Sequence, residues 1–456
     1  MKFLENILFK SVPVWFFVLV LIIIISLGLF STVLAYKISV TEVKLPKIHK
    51  VMTSTLDNLS LFWVTAKKVI STGQVNNQVV KVDNAVGFSS LLNNDEVVKV
   101  DNAVGFSSPN NDDLEGYFLV SAYDAGNGVS SIFLFDLNSK KLIKEWAPDT
   151  SELEILLNKL SVKSNENKIQ NFRSQHPIMT EDGGVIISSG DGVLLKLDED
   201  SKIEWFIDRQ IHHSIEPGLT ENQYISQIVV DNDVKFLNGK VIKPLRNDGY
   251  VIFSGDGKIV EERSFAQILV DNGYASLLVS TTPWHRDRVH LNDAEYIFET
   301  DKYVKKGDIM MSSRHLSTVL LYRPSENKVI WLKQGPFLNQ HDVNYLGNGV
   351  FSILGNDNVN GPLSPRLYAD HSSIYTYDMK TDEVQIMLTL DKVPSLDSGG
   401  RAKLLENGDI FFNNFSKAFI LDADGNIKLS YAHPVGETSV GTMHWTRHYS
   451  EIKVEK

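Results

Sequence analysis

Histidine, asparagine and arginine recur at the edges of strand-like segments between His290 and Asp342, in a chain without cysteine. The stretch holds His290-Leu291-Asn292-Asp293, then Gly307-Asp308-Ile309-Met310-Met311-Ser312-Ser313-Arg314, then Gln340-His341-Asp342. Guanidinium and amide donors suit an oxyanion such as sulfate or phosphate. A neutral imidazole, with an unperturbed pKa of roughly 6.5, is a competent nucleophile near neutral pH. These residue types point to an anion site that can also form a covalent bond. Metal binding is the rival chemistry, because histidine clusters hold zinc or copper. Against it, neither His290 nor His341 has a histidine four residues away, and Arg314 would set a fixed positive charge beside the ion. No metal and no cofactor is expected.

Such groups must be carried by elements that converge. Beyond residue 115 a loose repeat recurs. One arm is a polar turn with glycine followed by an apolar strand, as in Glu181-Asp182-Gly183-Gly184-Val185-Ile186-Ile187 and Asn407-Gly408-Asp409-Ile410-Phe411-Phe412. The next arm alternates, turns at Asp, Asn or Lys, and often closes on tryptophan, at Trp146, Trp205 and Trp331. Period-two alternation argues half-buried strands, and the turn clusters argue hairpins. Four-strand repeats of roughly 40–50 residues are the signature of a β-propeller. Six units begin near residues 115, 176, 213, 290, 341 and 399, with an insertion over 264–289. The fold class expected is all-β, a six-bladed β-propeller over 115–456. Met443-His444-Trp445-Thr446-Arg447-His448-Tyr449 is a candidate for the strand that closes the ring.

The repeat sets His176, His213, His290 and His341 near the start of the first strand of four units. Innermost strands line a propeller's channel, so residues in register there converge on one mouth. In an extended His212-His213 pair the side chains point to opposite faces, and register turns His213 inward. His176, followed by Pro177, reads equally well as a structural residue. His49, His315, His371 and His433 read as structural.

The formal charge is −11, and no Lys/Arg block tracks a phosphate backbone, so no nucleic-acid partner is expected. Zero cysteines exclude disulfides, thiolate zinc sites and a cysteine nucleophile. Val14 to Leu34 is almost wholly apolar and meets the roughly 20 residues a spanning helix needs. The expected layout is a cytoplasmic N-terminus over 1–12 and a transmembrane anchor over 13–36, with the rest on the periplasmic, extracytoplasmic side. A signal peptide cleaved after Val33-Leu34-Ala35 is the alternative. Residues 37–114 form an N-terminal region in which Val79 to Ser90 recurs identically as Val97 to Ser108. That duplication reads as a tolerated surface insertion, with a pair of small hairpins as the other reading.

His290-Leu291-Asn292, Ser312-Ser313-Arg314 and Gln340-His341-Asp342, in that order, resemble the HxN, SSR and QHD motifs of the arylsulfate sulfotransferase (arylsulfotransferase, ASST) family. The resemblance covers about residues 170–430 and is densest over 284–356. It implies a six-bladed propeller that moves a sulfuryl group from a phenolic sulfate ester to a phenolic or other hydroxyl acceptor, by a ping-pong mechanism through a sulfohistidine. Its nucleophile maps to His341, and its other catalytic groups to His290, Arg314 and His213. Asn292 and His212 map to substrate binding. The implied partners are a small-molecule aryl sulfate donor and a hydroxyl acceptor. His213 and His290 both remain candidates for the acid–base step. Well-studied periplasmic members of the family carry a disulfide between the SSR arginine and the nucleophile, whereas residues 315–340 hold no cysteine. The alternatives are a non-catalytic propeller for binding or scaffolding, and a sulfate or phosphate ester hydrolase. The sequence leaves the oligomeric state open.

Overall fold

The computed structural model describes residues 79–81, 105–110 and 114–452, apart from 163–167, 237, 244, 281–285, 359–368, 395–398 and 436–438. The apolar run Val14 to Leu34 and His49 lie outside the described residues. Among the described residues no helix is long and apolar enough to cross a membrane.

The chain is all-β and propeller-like, built of antiparallel strands. Four sheets have the form of a blade. Leu291–Tyr296, Ile309–Ser313, Thr318–Arg323 and Lys328–Gln334 make one, and His341–Gly347, Val350–Gly355, Ser373–Asp378 and Glu383–Thr389 the next. Arg401–Leu404, Ile410–Asn413, Ala418–Leu421 and Ile427–Ala432 form a third, with Gly105–Ser107 added at its edge. In the fourth, Arg447–Tyr449 joins Tyr117–Tyr123, Ser130–Asp136 and Lys141–Trp146. Its C-terminal strand pairs Arg447 with Leu119, so the closing-strand expectation describes what this segment does.

The blade count departs from the six separate units expected. The units beginning near 176 and 213 merge into one seven-stranded sheet, because the strand Ile203–Pro217 runs 15 residues without a turn. Its first half pairs with Gly192–Leu197 and its second with Gln223–Val229. The stretch read as an insertion carries two short helices, Phe265–Asp271 and Ala275–Ser280.

The core lies between neighbouring sheets rather than within one. Leu119, Leu134 and Trp146 pack on Val185, Ile187 and Leu195. Met310 and Leu321 meet Phe351 and Tyr375, and Phe118 and Phe135 meet Phe411 and Ile420. Each fully buried side chain of this kind contributes about 1.5–3 kcal/mol. The recurrent tryptophans tie units together: Trp146 Nε1 donates to the Gly183 carbonyl at 3.2 Å, and Trp205 Nε1 to that of Gly255 at 2.8 Å. Two short strands are described at the ends of the duplicated segment. Val79–Lys81 pairs with Ser439–Gly441, and Gly105–Ser107 pairs with 430–432. Phe106 seats against Tyr431, with ring centroids 4.5 Å apart.

The first strands of successive sheets lie side by side around a centre. Leu291–Tyr296 neighbours both Ile203–Pro217 and His341–Gly347, and the latter neighbours Arg401–Leu404. Residues at the starts of these strands therefore share one end of that centre.

Candidate active site

The backbone is distorted where the site forms. Register breaks fall between Gln175 and Ile178, at His213-Ser214 opposite Ser226 and Gln227, between Leu291 and Asp293, and between His341 and Val343. Such bulges re-aim single side chains and recur beside active sites. His176, His213, His290 and Asp342 adopt φ of 48, 60, 48 and 48°, and Trp445 adopts 59°. A left-handed non-glycine residue costs on the order of 1–3 kcal/mol, so five at one level mark a place held against its local preference.

His341 opens its strand, is buried, and is hydrogen-bonded through Nδ1 to Asn356 Oδ1. The Asn356 amide nitrogen donates to the Gly399 carbonyl at 2.9 Å, which fixes its oxygen toward His341. An amide oxygen only accepts, so Nδ1 carries the proton and Nε2 keeps the lone pair. Burial, then the charge of Arg314, holds the imidazole well below the ordinary histidine range, although the Asn356 bond pulls the other way. His341 is thus neutral at pH 7.

Arg314 lies beyond the end of Ile309–Ser313, and its backbone N–H donates to the His290 carbonyl at 3.0 Å. Its Nη1 contacts His315 Nε2 at 3.4 Å, and its Nε is buried with no hydrogen-bond partner. Among the described residues no carboxylate forms an ion pair with it; burial lowers its pKa, and only Asp287 opposes that. An unpaired buried charge is costly, and an oxyanion would compensate it. His315 donates from Nδ1 to the Asp287 carbonyl at 2.8 Å, which leaves Nε2 to accept from Arg314. Burial, then His290, pushes His315 down to about 4. The sequence reading had left this residue outside the site.

His290 and His213 meet edge to face with ring centroids 4.9 Å apart. His290 Nδ1 lies 2.7 Å from Asp287 Oδ2, and its backbone N–H donates to Asp287 Oδ1 at 3.1 Å. Burial raises the Asp287 carboxyl, but its bond to His290 and the charges of His290 and His315 outweigh that and lower it. His213 Nδ1 faces His212 Nδ1 at 2.7 Å, and His212 turns its Nε2 toward Asp248, 3.6 Å away. Burial, then His212 and His290, holds His213 well below its usual range.

Trp445 joins the parts. Its ring stacks on His176 at 4.2 Å and lies 6.1 Å from His213 and 6.2 Å from His341. Phe415 meets it edge-on at 5.9 Å. Asn292 lies on the strand Leu291–Tyr296, two residues after His290. Its amide nitrogen donates to the Gln340 carbonyl at 2.7 Å, and its Oδ1 is buried without a partner. Asn292 therefore ties two strand starts together, immediately before His341. Nearby, Arg401 binds Glu216 at 2.9 Å and Asp342 at 3.3 Å. Burial, then the charges of Asp342 and Glu216, pushes Asp293 up to about 7. Two triads, Asp287-His290-His315 and Asp293-Glu295-Asp342, bring donor atoms within 4.8 Å of one another and could hold a metal ion. In the first, His290 Nδ1 is already occupied by Asp287. Among the described residues no hydrogen bond or ring contact joins His371 to this set, and His433 stacks on Phe133 at 4.4 Å.

Asp287, His315, Asn356 and Trp445 are thus the site residues that sequence reasoning did not single out. Asp287 stands three residues before His290, and a carboxylate at that spacing was the one readable signal.

No curated protein matches the chain. Solved structures similar to it include a protein of unknown function from Bacteroides caccae, 11% identical, covering 73% of this chain and 98% of that one at a TM-score of 0.41. The Neurospora crassa Pan2 WD40 domain is 11% identical over 73% and 86% of the two chains at 0.36. TolB from Acinetobacter baumannii is 8% identical over 74% and 67% at 0.41. At these TM-scores the likenesses bear on neither fold nor function. The arylsulfotransferase (ASST) family model matches residues 174–434, more than half of the chain and the segment that contains His176, His213, His290, Arg314, His341 and Asn356. The chain belongs to the arylsulfotransferase family.

Proposed function

We propose that this protein moves a sulfuryl group from a phenolic sulfate ester to a hydroxyl acceptor through a sulfohistidine at His341. Family membership supports the sulfotransferase-like part of this reading. The covalent part rests on one observation: a buried, neutral His341, its tautomer fixed by Asn356, lies within the field of Arg314, whose Nε is buried without a hydrogen-bond partner and which forms no ion pair with a carboxylate among the described residues. In the first half-reaction His341 Nε2 attacks sulfur and the S–O bond to the aryl group breaks. In the second, the acceptor oxygen attacks sulfur, and the N–S electron pair returns to Nε2. The transition state spreads negative charge over the equatorial oxygens, as in phosphoryl transfer. Arg314 is the stabilising charge, and a fixed donor of this kind is worth roughly 10²–10³-fold. His212, paired to His213, sets that ring's orientation. The same proposal treats the seven-stranded sheet as two blades sharing the strand Ile203–Pro217, which makes six units around one axis. It also keeps the extracytoplasmic placement that the apolar run suggests.

The full-length protein incubated with 4-nitrophenyl sulfate, with and without phenol, tests the reading. Release of 4-nitrophenol that requires phenol, with a sulfate mass gain on His341, is the expected result. Release in water alone would assign hydrolysis instead. Absence of release under both conditions would leave a binding propeller.

A further inference from the structure

The acid–base group of the site was open between His213 and His290, and their partners separate them. His213 has another imidazole at Nδ1, 2.7 Å away. His290 has a carboxylate, with Asp287 Oδ2 at 2.7 Å from Nδ1. Asp287 is anchored from several sides: its Oδ1 accepts the His290 backbone N–H, and its carbonyl accepts His315 Nδ1. The charged and titratable groups that face this pair include His213, with rings 4.9 Å apart, His315, at 4.5 Å, Arg314, Arg246, Asp248 and His341. Arg246 is committed to Asp191 and Asp248. Of the two candidates, His290 is thus the one with a carboxylate, Asp287, on its Nδ1.

We infer that Asp287 is a positioning residue which holds the His290 Nδ1 proton and so makes His290 Nε2 the proton donor to the departing aryl oxygen and the proton acceptor from the incoming hydroxyl. The inference rests on the sulfuryl-transfer reading and adds the path of the proton to it. The cycle balances. Protonated His290 gives its Nε2 proton to the aryl oxide as the S–O bond breaks, and a neutral phenol leaves. Neutral His290 then takes the proton of the acceptor hydroxyl as that oxygen attacks the sulfohistidine, and His290 is again protonated. A carboxylate on Nδ1 fixes the tautomer of the neutral ring and stabilises the cation that alternates with it, as the aspartate of a Ser-His-Asp triad does.

A general acid matters most when the leaving group is a strong base. The test compares phenyl sulfate, a poor donor, with 4-nitrophenyl sulfate, a good one, in the wild-type protein, Asp287→Asn and Asp287→Glu. The expected result is that Asp287→Asn slows turnover of phenyl sulfate at least about tenfold more than that of 4-nitrophenyl sulfate, and that Asp287→Glu recovers much of the difference. An equal loss on both donors would mean that Asp287 only supports the fold, and no loss would mean that it is idle; either overturns the inference. Should Asp287→Asn fail to fold, His290→Gln carries the same comparison with the same two outcomes. A wild-type protein that turns over neither donor refutes the sulfuryl-transfer reading itself. A wild-type protein that turns over both, beside a variant without leaving-group dependence, refutes only the role of Asp287.

Discussion

Asn356 turns its side-chain oxygen to Nδ1 of His341 while its amide nitrogen is held by the Gly399 carbonyl at 2.9 Å. The two bonds leave one orientation for the amide and therefore one tautomer for the imidazole. A buried asparagine, 15 residues from the histidine and facing it across a hairpin, sets which ring nitrogen can attack.

Replacement of that asparagine separates packing from chemistry. Asn356→Leu leaves the Nδ1 proton buried and unpaired, which costs about 1–3 kcal/mol. It also frees the wrong tautomer, with a loss of kcat/KM of up to about 10⁴-fold. Asn356→Asp keeps the shape but puts a carboxylate on Nδ1–H, which stabilises the imidazolium. Burial and Arg314 now hold His341 well below its ordinary range, so the variant must lose activity at a higher pH than the wild type as pH falls. The pH profile of donor kcat/KM checks the sign, and an unmoved acid limb would refute the tautomer argument.

Arg314 is a site where stability and function oppose each other. Its Nε is buried without a hydrogen-bond partner, and among the described residues no carboxylate forms an ion pair with it. Arg314→Met removes an uncompensated charge while keeping the apolar stem. Stability should rise by about 1 kcal/mol or more, and turnover should fall roughly 10²–10³-fold. Thermal unfolding and donor kinetics on one preparation decide it; a fall in Tm would mean that Arg314 already has its counter-charge in the free protein.

The sequence carried the strand starts but not the partners that tune them. His213, His290, Arg314 and His341 were legible because each adjoins a period-two strand in a repeated frame. Asn356 was not, because the residue just past the end of a second strand faces the first strand's start only once the hairpin register is known. Trp445 read as part of a closing strand, and only its left-handed φ of 59° aims the ring into the centre. The bond from the Asn292 amide to the Gln340 carbonyl, 48 residues away, was hidden for the same reason as Asn356. The merged sheet was hidden for a different reason. Arg209-Gln210-Ile211-His212 in the middle of Ile203–Pro217 is polar enough to suggest a unit boundary but holds no glycine or proline to turn the chain.

Asp293 gives a pH dependence of defined sign. Burial, then the charges of Asp342 and Glu216, raises its carboxyl to about 7, whereas an unfolded aspartate titrates near 3.9. The folded protein therefore binds more protons than the unfolded one between those values. This contribution to stability is fully present below about pH 4 and is lost as pH rises through about 7. Asp293→Asn can still accept the Val343 N–H that Oδ2 accepts at 2.9 Å, but it has no proton to lose. Its Tm should fall less than that of the wild type between pH 6 and pH 8; parallel curves would show that Asp293 is ionised throughout.

Arg447 couples ring closure to the site. It lies on the C-terminal strand that pairs with Tyr117–Tyr123, and its side chain crosses to the seven-stranded sheet. There it binds Glu216 at 2.8 Å and the Pro177 carbonyl at 3.1 Å, and it also donates to the Ile215 carbonyl. Removal of one partner from a buried pair costs about 3–5 kcal/mol, because the other charge stays behind. Arg447→Met should therefore lower the denaturant midpoint strongly. Glu216 keeps Arg401 at 2.9 Å, so the added Glu216→Gln substitution removes a charge that is only partly compensated and should recover part of the loss. Lys in place of Arg447 offers one ammonium where the fork served three acceptors, and should behave more like Met than like Arg. If the single and double variants unfold together, the closing strand is held by its backbone pairing and not by this ion pair.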